Sequence, residues 1–340
     1  MEHINVAVIG FGLSAQVFHL PFLTEDNGYC ISAFVSSQRD AIKAQYPGAQ
    51  VYASSDALFA AEQADLVVIT SPNNSHYSIA KQALQRGCHV VVEKPITVTS
   101  SEARELIELA QRQQRVLTVY HNRRLDGDFL TLQQLISQGK LGHVYHFASR
   151  FDRFRPQVRA KWKEQAGAGN GAVYDIGSHL IDQALLLFGM PHALSARCLA
   201  LREQSQTVDF FQINLHYPKL DVQLSASPFN AGQNHRFSVQ GDLGSVDMYG
   251  LDNQESQLAA GVSASDALLG IDTERQVYAY LPDRQSVSLQ QGNYVYFYQQ
   301  LKQAITHNQP PLVTPESALQ VISIIEAAYK ASETGQTVSL

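Results

Sequence analysis

The sequence predicts an α/β protein in two parts. Residues 1–122 read as a doubly wound parallel sheet, and residues 123–340 as an α+β region on a large, open, mainly antiparallel sheet. Three observations lead there. Short apolar runs alternate with helical patterns as far as about residue 122. The first run closes on a Gly-x-Gly turn. Beyond residue 123 come strands of alternating polarity, separated by turn signals such as Tyr217-Pro218 and Gly241-Asp242. A chain of 340 residues has room for about two domains.

Taken in order, Ile4–Ile9 is nearly all apolar, as suits a strand covered on both faces. A helix follows over Ala15–Leu23, interrupted near Pro21, then a strand at Ile31–Val35 and a helix at Arg39–Gln45. Leu66–Thr70 is the next strand, with a helix over Asn74–Gln85 that Gly87 ends. The strands His89–Val92 and Val116–Val119 flank a helix at Ser101–Gln113. In the second part, a helix over Asp128–Ser137 ends at Gly139. Strands are expected at His143–Phe151, Ala193–Arg202, Phe210–Tyr217, Asp221–Ser227, His235–Gln240 and Gly244–Tyr249. The polar Gln254–Asp266 stretch reads as a mobile loop. Helices at Val295–Thr306 and Pro315–Ser332 close the chain, the second with Thr314 as its cap.

Composition excludes several classes. A formal net charge of −6, without a basic block, argues against nucleic acid as a partner. No apolar run approaches the length of a membrane span, and no leader-like segment precedes the first strand, so a cytoplasmic protein is expected. Cys30, Cys88 and Cys198 are far apart and lack a Cys-x-x-Cys spacing. They are expected as reduced, mostly buried thiols, with no metal site. The open face of the second sheet could be covered by another subunit, so a homo-oligomer is expected.

On a doubly wound sheet, ligands bind beyond the carboxyl ends of the strands. Gly10-Phe11-Gly12-Leu13-Ser14-Ala15 lies between the first strand and first helix, where Gly-x-Gly-x-x-Gly/Ala has physical meaning. Gly10 permits the tight turn, Gly12 lets a pyrophosphate approach the backbone, and Ala15 permits close helix–strand packing. The helix start then presents N–H groups to the anion. The second strand ends in Ser36-Ser37-Gln38-Arg39, with no acid at the tip. Two hydroxyls and a guanidinium suit a 2′-phosphate, so NADP is expected ahead of NAD, which stays possible. A solvated helix charge is the plain alternative for Arg39. Ser71, Pro72, Asn73 and His76, around the end of the Leu66 strand, and Glu93 and Lys94, after the His89 strand, complete the expected cofactor set.

Lys94 in Glu93-Lys94-Pro95 can stabilise a developing alkoxide, with Glu93 orienting or neutralising it, although a surface lysine before proline is common. Asp175, His179 and Asp182 recur at i, i+4 and i+7 on one helix face. His179 could exchange the hydroxyl proton while a carboxylate holds its tautomer. The same trio could bind a divalent metal, or could be a helix-start acid beside a structural histidine; the lysine favours a metal-free reaction. Tyr120-His121-Asn122-Arg123-Arg124 suggests a polyol- or sugar-binding edge, or equally a polar hinge. The Arg153-Phe154-Arg155-Pro156 and Arg159-Ala160-Lys161-Trp162 stretches share that ambiguity. Trp162 could wall a pocket or pack in a core.

In order and separation, the Gly10–Ala15 turn, Glu93-Lys94-Pro95 and the Asp175–His179–Asp182 run resemble the glucose-fructose oxidoreductase, inositol dehydrogenase and MocA family, and the resemblance covers essentially the whole chain. It implies a Rossmann domain, and a second domain whose sheet often mediates dimers or tetramers. It further implies Lys94 as catalytic lysine, His179 as general acid/base, Asp175 as the substrate-binding acid assisting it, and Asp182 as part of the pocket. Tyr120, Asn122, Arg123 and Trp162 are expected at the substrate, a cyclic polyol or sugar. The Gly12-Leu13-Ser14 turn, Tyr120–Arg124 and Gly177-Ser178-His179 are similar to the NADP-dependent scyllo-inositol dehydrogenase branch. Sugar or keto-sugar reduction, and a non-catalytic cofactor sensor, are the alternative readings.

Overall fold

In the computed structural model, which describes residues 3–340 except Glu25, Glu62, Ala160, Lys161, Gln276 and Pro282, the chain divides into two compact units. The first holds the residues through Asn122 together with Glu255–Leu269 and Asn293–Leu319. The second holds Arg123–Gln254, Gly270–Gly292 and Gln320–Leu340. A cut falls after Asn122, where the sequence changes rhythm, but two later segments pack with the first unit.

That unit contains six parallel strands: β1 (Ile4–Ile9), β2 (Tyr29–Val35), β3 (Gln50–Tyr52), β4 (Leu66–Ile69), β5 (His89–Val92) and β6 (Leu117–Val119). Their order is β3-β2-β1-β4-β5-β6. The order reverses between β1 and β4, which makes that gap the switch point where such sheets take ligands. Helices α1 (Arg39–Gln45), α2 (Ser55–Ala61), α3 (His76–Gln85) and α4 (Ser100–Gln113) form the crossovers. Val6, Val8, Leu66, Val68, Val90 and Val92 are fully buried, which accounts for the unbroken apolar runs. Thr99 caps α4 reciprocally with Glu102, one residue earlier than the Ser-Ser-Glu start suggests. Cys30 is exposed, unlike buried Cys88, because it alternates with buried Tyr29 on β2.

The second unit opens with α5 (Gly127–Ser137) and β7 (Val144–Arg150), then α6 (Ser178–Phe188). Next come β8 (Ala193–Leu199), β9 (Phe210–His216), β10 (Asp221–Ala226), β11 (His235–Gly241) and β12 (Ser245–Tyr249). After α7 (Gln254–Ala259) follow β13 (Val277–Leu281) and β14 (Asp283–Val287). The chain ends with α8 (Val295–His307), α9 (Pro315–Thr334) and β15 (Val338–Ser339). The sheet runs β14-β13-β12-β11-β7-β10-β9-β8-β15, with β7–β10 parallel and the other pairs antiparallel. Phe147, Phe211, Ile213, Val222, Leu224 and Val239 are fully buried along one face, while Arg197, Gln212, Asp221 and Gln240 are exposed.

The expected loop at Gln254–Asp266 is instead a short helix followed by turns, because Leu258 and Leu269 are buried and anchor it. Its alanines and serines are helix-compatible once such anchors pack. In the first unit, α8 adds Phe297, Tyr298 and Leu301 to the core. Tyr298 packs against Phe22, Tyr29 and Tyr120, and its carbonyl accepts the Tyr29 hydroxyl at 2.7 Å. Among the described residues, no helix is long and apolar enough to cross a membrane.

Candidate active site

The first unit gathers four strand ends around the switch point. Gly10 has φ +107° and donates its N–H to Val35 O at 3.0 Å. A Cβ there would run into the Thr70 side chain after β4. Beside Gly12, by contrast, an added Cβ would meet no atom within 4 Å. Glycine at Gly10 thus serves the fold, and glycine at Gly12 keeps a surface open. That open surface, beside a helix start, fits the pyrophosphate of a dinucleotide. Ala15 is fully buried, and the helix it enters has a wide π-turn over Ala15–His19 before tightening at Leu20–Phe22 around Pro21. Phe11 packs edge-on against Phe34 at 5.6 Å, and its carbonyl accepts the side-chain amides of Gln16 and Gln38. Leu13 is 67% exposed over the turn.

At the tip of β2, Ser36 Oγ accepts from Gln38 N at 3.1 Å, and Ser37 and Arg39 are exposed. Arg39 is tethered: its Nη2 donates to Val51 O at 2.6 Å. Beyond β4, Ser71 Oγ and Ser75 Oγ lie 2.7 Å apart, Pro72 is exposed and Asn73 buried. His76 follows at the start of α3. Its ring is fully buried and both nitrogens face backbone carbonyls, so its hydrogen bonding is directed at the protein.

Glu93 is held at the end of β5 by three donors. Ser14 Oγ–H reaches Oε1, His19 Nε2 lies 3.0 Å from Oε1, and the Lys94 N–H reaches Oε2 at 3.0 Å. Burial pushes the carboxyl pKa up, but the His19 and Ser14 hydrogen bonds and the nearby Lys94 charge outweigh it and hold it at about 2. Lys94 therefore leaves β5 beside a carboxylate that is ionised at neutral pH. His19 is linked onward to the Tyr298 hydroxyl at 2.5 Å. Tyr120, expected on an open edge, is 1% exposed, its ring against His19 at 4.4 Å and Phe297 at 4.8 Å. A strand end followed by dense donors reads alike from sequence whether it faces solvent or an aromatic core. Asn122 too is buried.

In the second unit, a π-turn over Val173–Gly177 leads into α6. The wider turn changes the bearing of Asp175 relative to the helix, so the two acids have different surroundings. Asp175 is about one-third exposed and its Oδ1 accepts from Lys163 Nζ at 2.7 Å. Asp182 is buried and accepts two bonds from Arg124, at 2.8 and 2.6 Å. The two bonds make a buried ion pair. His179 lies buried between them on α6, and no group of three or more metal-ligating side chains occurs among the described residues. Gln183, one turn on, donates to Arg123 O and accepts from the fully buried Arg236 at 2.5 Å. Arg123 pairs with Asp126 at 3.2 Å and lies over the Phe151 ring.

Trp162 is 39% exposed, with Lys163 Nζ 5.6 Å from its ring centre. Arg153 stacks on Phe151 at 4.7 Å, and Arg155 N donates to Pro228 O. Ala160 and Lys161 lie outside the described residues. Sequence reading missed Lys163 and His19. Adjacency to Trp162 was a usable signal for Lys163; no local signal marks His19.

A glycine-rich turn at the switch point of a 3-2-1-4-5-6 parallel sheet, joined to a mixed, mostly antiparallel sheet, defines a protein with a nucleotide-binding Rossmann domain. The chain belongs to the Gfo/Idh/MocA oxidoreductase family: residues 4–121 match the model of its NAD-binding Rossmann fold, and 133–340 that of its C-terminal alpha/beta domain. It is 36% identical to the scyllo-inositol 2-dehydrogenase (NADP(+)) IolW of Bacillus subtilis, covering 100% of this chain and 97% of that one. It is 39% identical to the uncharacterized oxidoreductase YdgJ of Escherichia coli, covering 100% and 99%. Among solved structures, the putative oxidoreductase YvaA of Bacillus subtilis superposes with a TM-score of 0.95 at 36% identity, covering 100% and 99%.

Proposed function

We propose that the chain is an NADP-dependent dehydrogenase that interconverts a secondary hydroxyl and a ketone on a cyclic polyol of the scyllo-inositol type. The observation that carries the cofactor preference is the acid-free β2 tip, where Ser36 and Ser37 stand beside an Arg39 already tethered to Val51 O. A fixed guanidinium loses less freedom on meeting a 2′-phosphate than a loose one. Full-length likeness to an NADP-dependent scyllo-inositol dehydrogenase supports the substrate class.

The Gly10–Ala15 turn, Ser36, Ser37, Arg39 and the Ser71–Asn73 turn would hold the dinucleotide. When bound, its nicotinamide supplies the hydride acceptor for alcohol oxidation. His179 takes the hydroxyl proton, and the Lys94 ammonium stabilises the alkoxide as that O–H bond breaks. Asp175 accepts a neighbouring hydroxyl, with Lys163 Nζ 2.7 Å from its Oδ1. Reduction runs the same steps in reverse. The outward polar face of the second sheet would be covered by a second copy, giving a homodimer or tetramer, which sedimentation velocity reads directly.

The test is reduced-nicotinamide absorbance with scyllo-inositol and a panel of sugars, each with NADP+ and NAD+. Turnover of scyllo-inositol with a clear NADP+ preference is expected. Turnover of open sugars alone moves the reading to a sugar dehydrogenase, and NAD+ preference removes the role given to Arg39. Lys94→Met and His179→Asn should each lower kcat by about 10²–10⁴-fold.

A further inference from the structure

We propose that His76 is a positioning residue for the turn that carries Lys94, acting by giving its one N–H to the Pro95 carbonyl just after β5. His76 is the first residue of α3 and is fully buried. Its Nδ1 lies 2.8 Å from Pro95 O and its Nε2 2.9 Å from Ser71 O. The imidazole therefore lies between the two turns that leave adjacent parallel strands beside the switch point, and as a neutral ring it has one N–H, which on Nδ1 is given to Pro95 O. Lys94 is held from both directions: its own N–H by Glu93 Oε2 at 3.0 Å, and the carbonyl of the next residue by His76.

A simple packing role would not require this chemistry. An apolar ring or chain could fill the same space, but it would leave the buried Pro95 carbonyl without this donor, at about 1–3 kcal/mol. Burial pushes the imidazole pKa below its ordinary value, ahead of the opposing pull of the two carbonyls and Glu93, while Lys94 adds to the lowering. Glu93 and Lys94 are the charged groups acting on the ring, and they flank the turn it holds. The bond to Pro95 O thus fixes where the Lys94 side chain begins, and a small displacement there is costly because transition-state stabilisation depends steeply on placement.

The kinetic part of this inference rests on the role proposed for Lys94, so the experiment includes a readout that needs no substrate. His76→Leu and His76→Gln are compared with wild type by thermal unfolding, NADPH binding from nucleotide fluorescence, kcat and KM with scyllo-inositol and NADP+, and acetic anhydride labelling of Lys94 read by mass spectrometry against the other lysines. His76→Leu should lower kcat about 100-fold with KM and NADPH affinity within about threefold, the cost expected of misplacement by about 1 Å. Its Lys94 labelling rate should change at least about threefold while other lysines keep theirs, since reactivity follows local environment. His76→Gln, which keeps a donor, should lose only about tenfold in kcat. If His76→Leu does not fold, His76→Gln decides on the same readouts. Wild-type kcat and wild-type Lys94 labelling in the folded variants overturn the proposal, as does a loss carried entirely by NADPH affinity. If wild type does not turn over scyllo-inositol, the substrate reading fails and Lys94 labelling alone decides the role of His76.

Discussion

Arg124 grips Asp182 with two guanidinium nitrogens, Nε to Oδ2 at 2.8 Å and Nη2 to Oδ1 at 2.6 Å, and both side chains are buried. Removing one partner leaves the other charge in the interior uncompensated. Asp182→Ala should therefore destabilise the protein by about 3–5 kcal/mol, whereas Arg124→Met with Asp182→Leu should recover much of that. Urea unfolding of the single and double variants measures both. An Asp182→Ala variant as stable as wild type would remove the structural role assigned to this pair.

Gly10 and Gly12 should separate fold from function. Gly10→Ala places a Cβ against Thr70 at a φ of +107° and should destabilise by more than about 1 kcal/mol. Gly12→Ala meets nothing within 4 Å and should leave stability within about 0.5 kcal/mol. It should still weaken NADPH binding by about tenfold or more, equivalent to about 1.4 kcal/mol. Calorimetric unfolding alongside a binding titration distinguishes the two, and equal Tm losses would contradict the assignment.

His89 sets an acid limit. Burial, then the Arg115 charge, lower its pKa from 6.5 to about 4 against the pull of Asp65. The neutral Nδ1 accepts the Val116 N–H at 3.0 Å, a bond lost on protonation. Because the folded pKa is depressed, this contribution is whole above about pH 6.5 and disappears as pH falls toward 4. His89→Asn, whose amide oxygen can replace Nδ1, should flatten unfolding free energy against pH in that window. An unchanged slope would assign the acid sensitivity elsewhere.

Tyr298→Phe tests the buried chain behind Glu93. It removes the hydroxyl 2.5 Å from His19 Nδ1 while keeping the aromatic contacts. A loss of about 1–3 kcal/mol is expected, the usual cost of stranding a buried polar atom. Denaturant titration gives the value; a neutral result would mean that His19 finds another partner.

What the sequence revealed was local, and what it hid was distant. The Gly10–Ala15 turn and Glu93-Lys94-Pro95 each sit where one strand ends, so a few consecutive residues announce them. The partners of Glu93 do not: Ser14 and His19 arrive from 79 and 74 residues away. For Asp182 the helical spacing to His179 was visible, but its ion pair with Arg124, 58 residues back, was not. Periodicity also assumed one uniform helix through Asp175, which the π-turn over Val173–Gly177 replaces. β3 went unseen because three residues are too few to show a period. β15, with two residues, was shorter still.

The discontinuity of the first unit bears on how the protein is made. The ribosome delivers β6 well before α8, yet three buried groups in the stretch from β1 to β6 depend on residues made 195 to 279 positions later. The Tyr29 hydroxyl awaits Tyr298 O, His19 awaits the Tyr298 hydroxyl, and the Thr118 hydroxyl awaits Val313 O. Most domains can close as soon as they clear the exit tunnel. Here the nucleotide-binding unit stays unsealed on its aromatic side until α8 has been made, and a nascent chain arrested before α8 would display Phe22, Tyr29 and Tyr120 to chaperones.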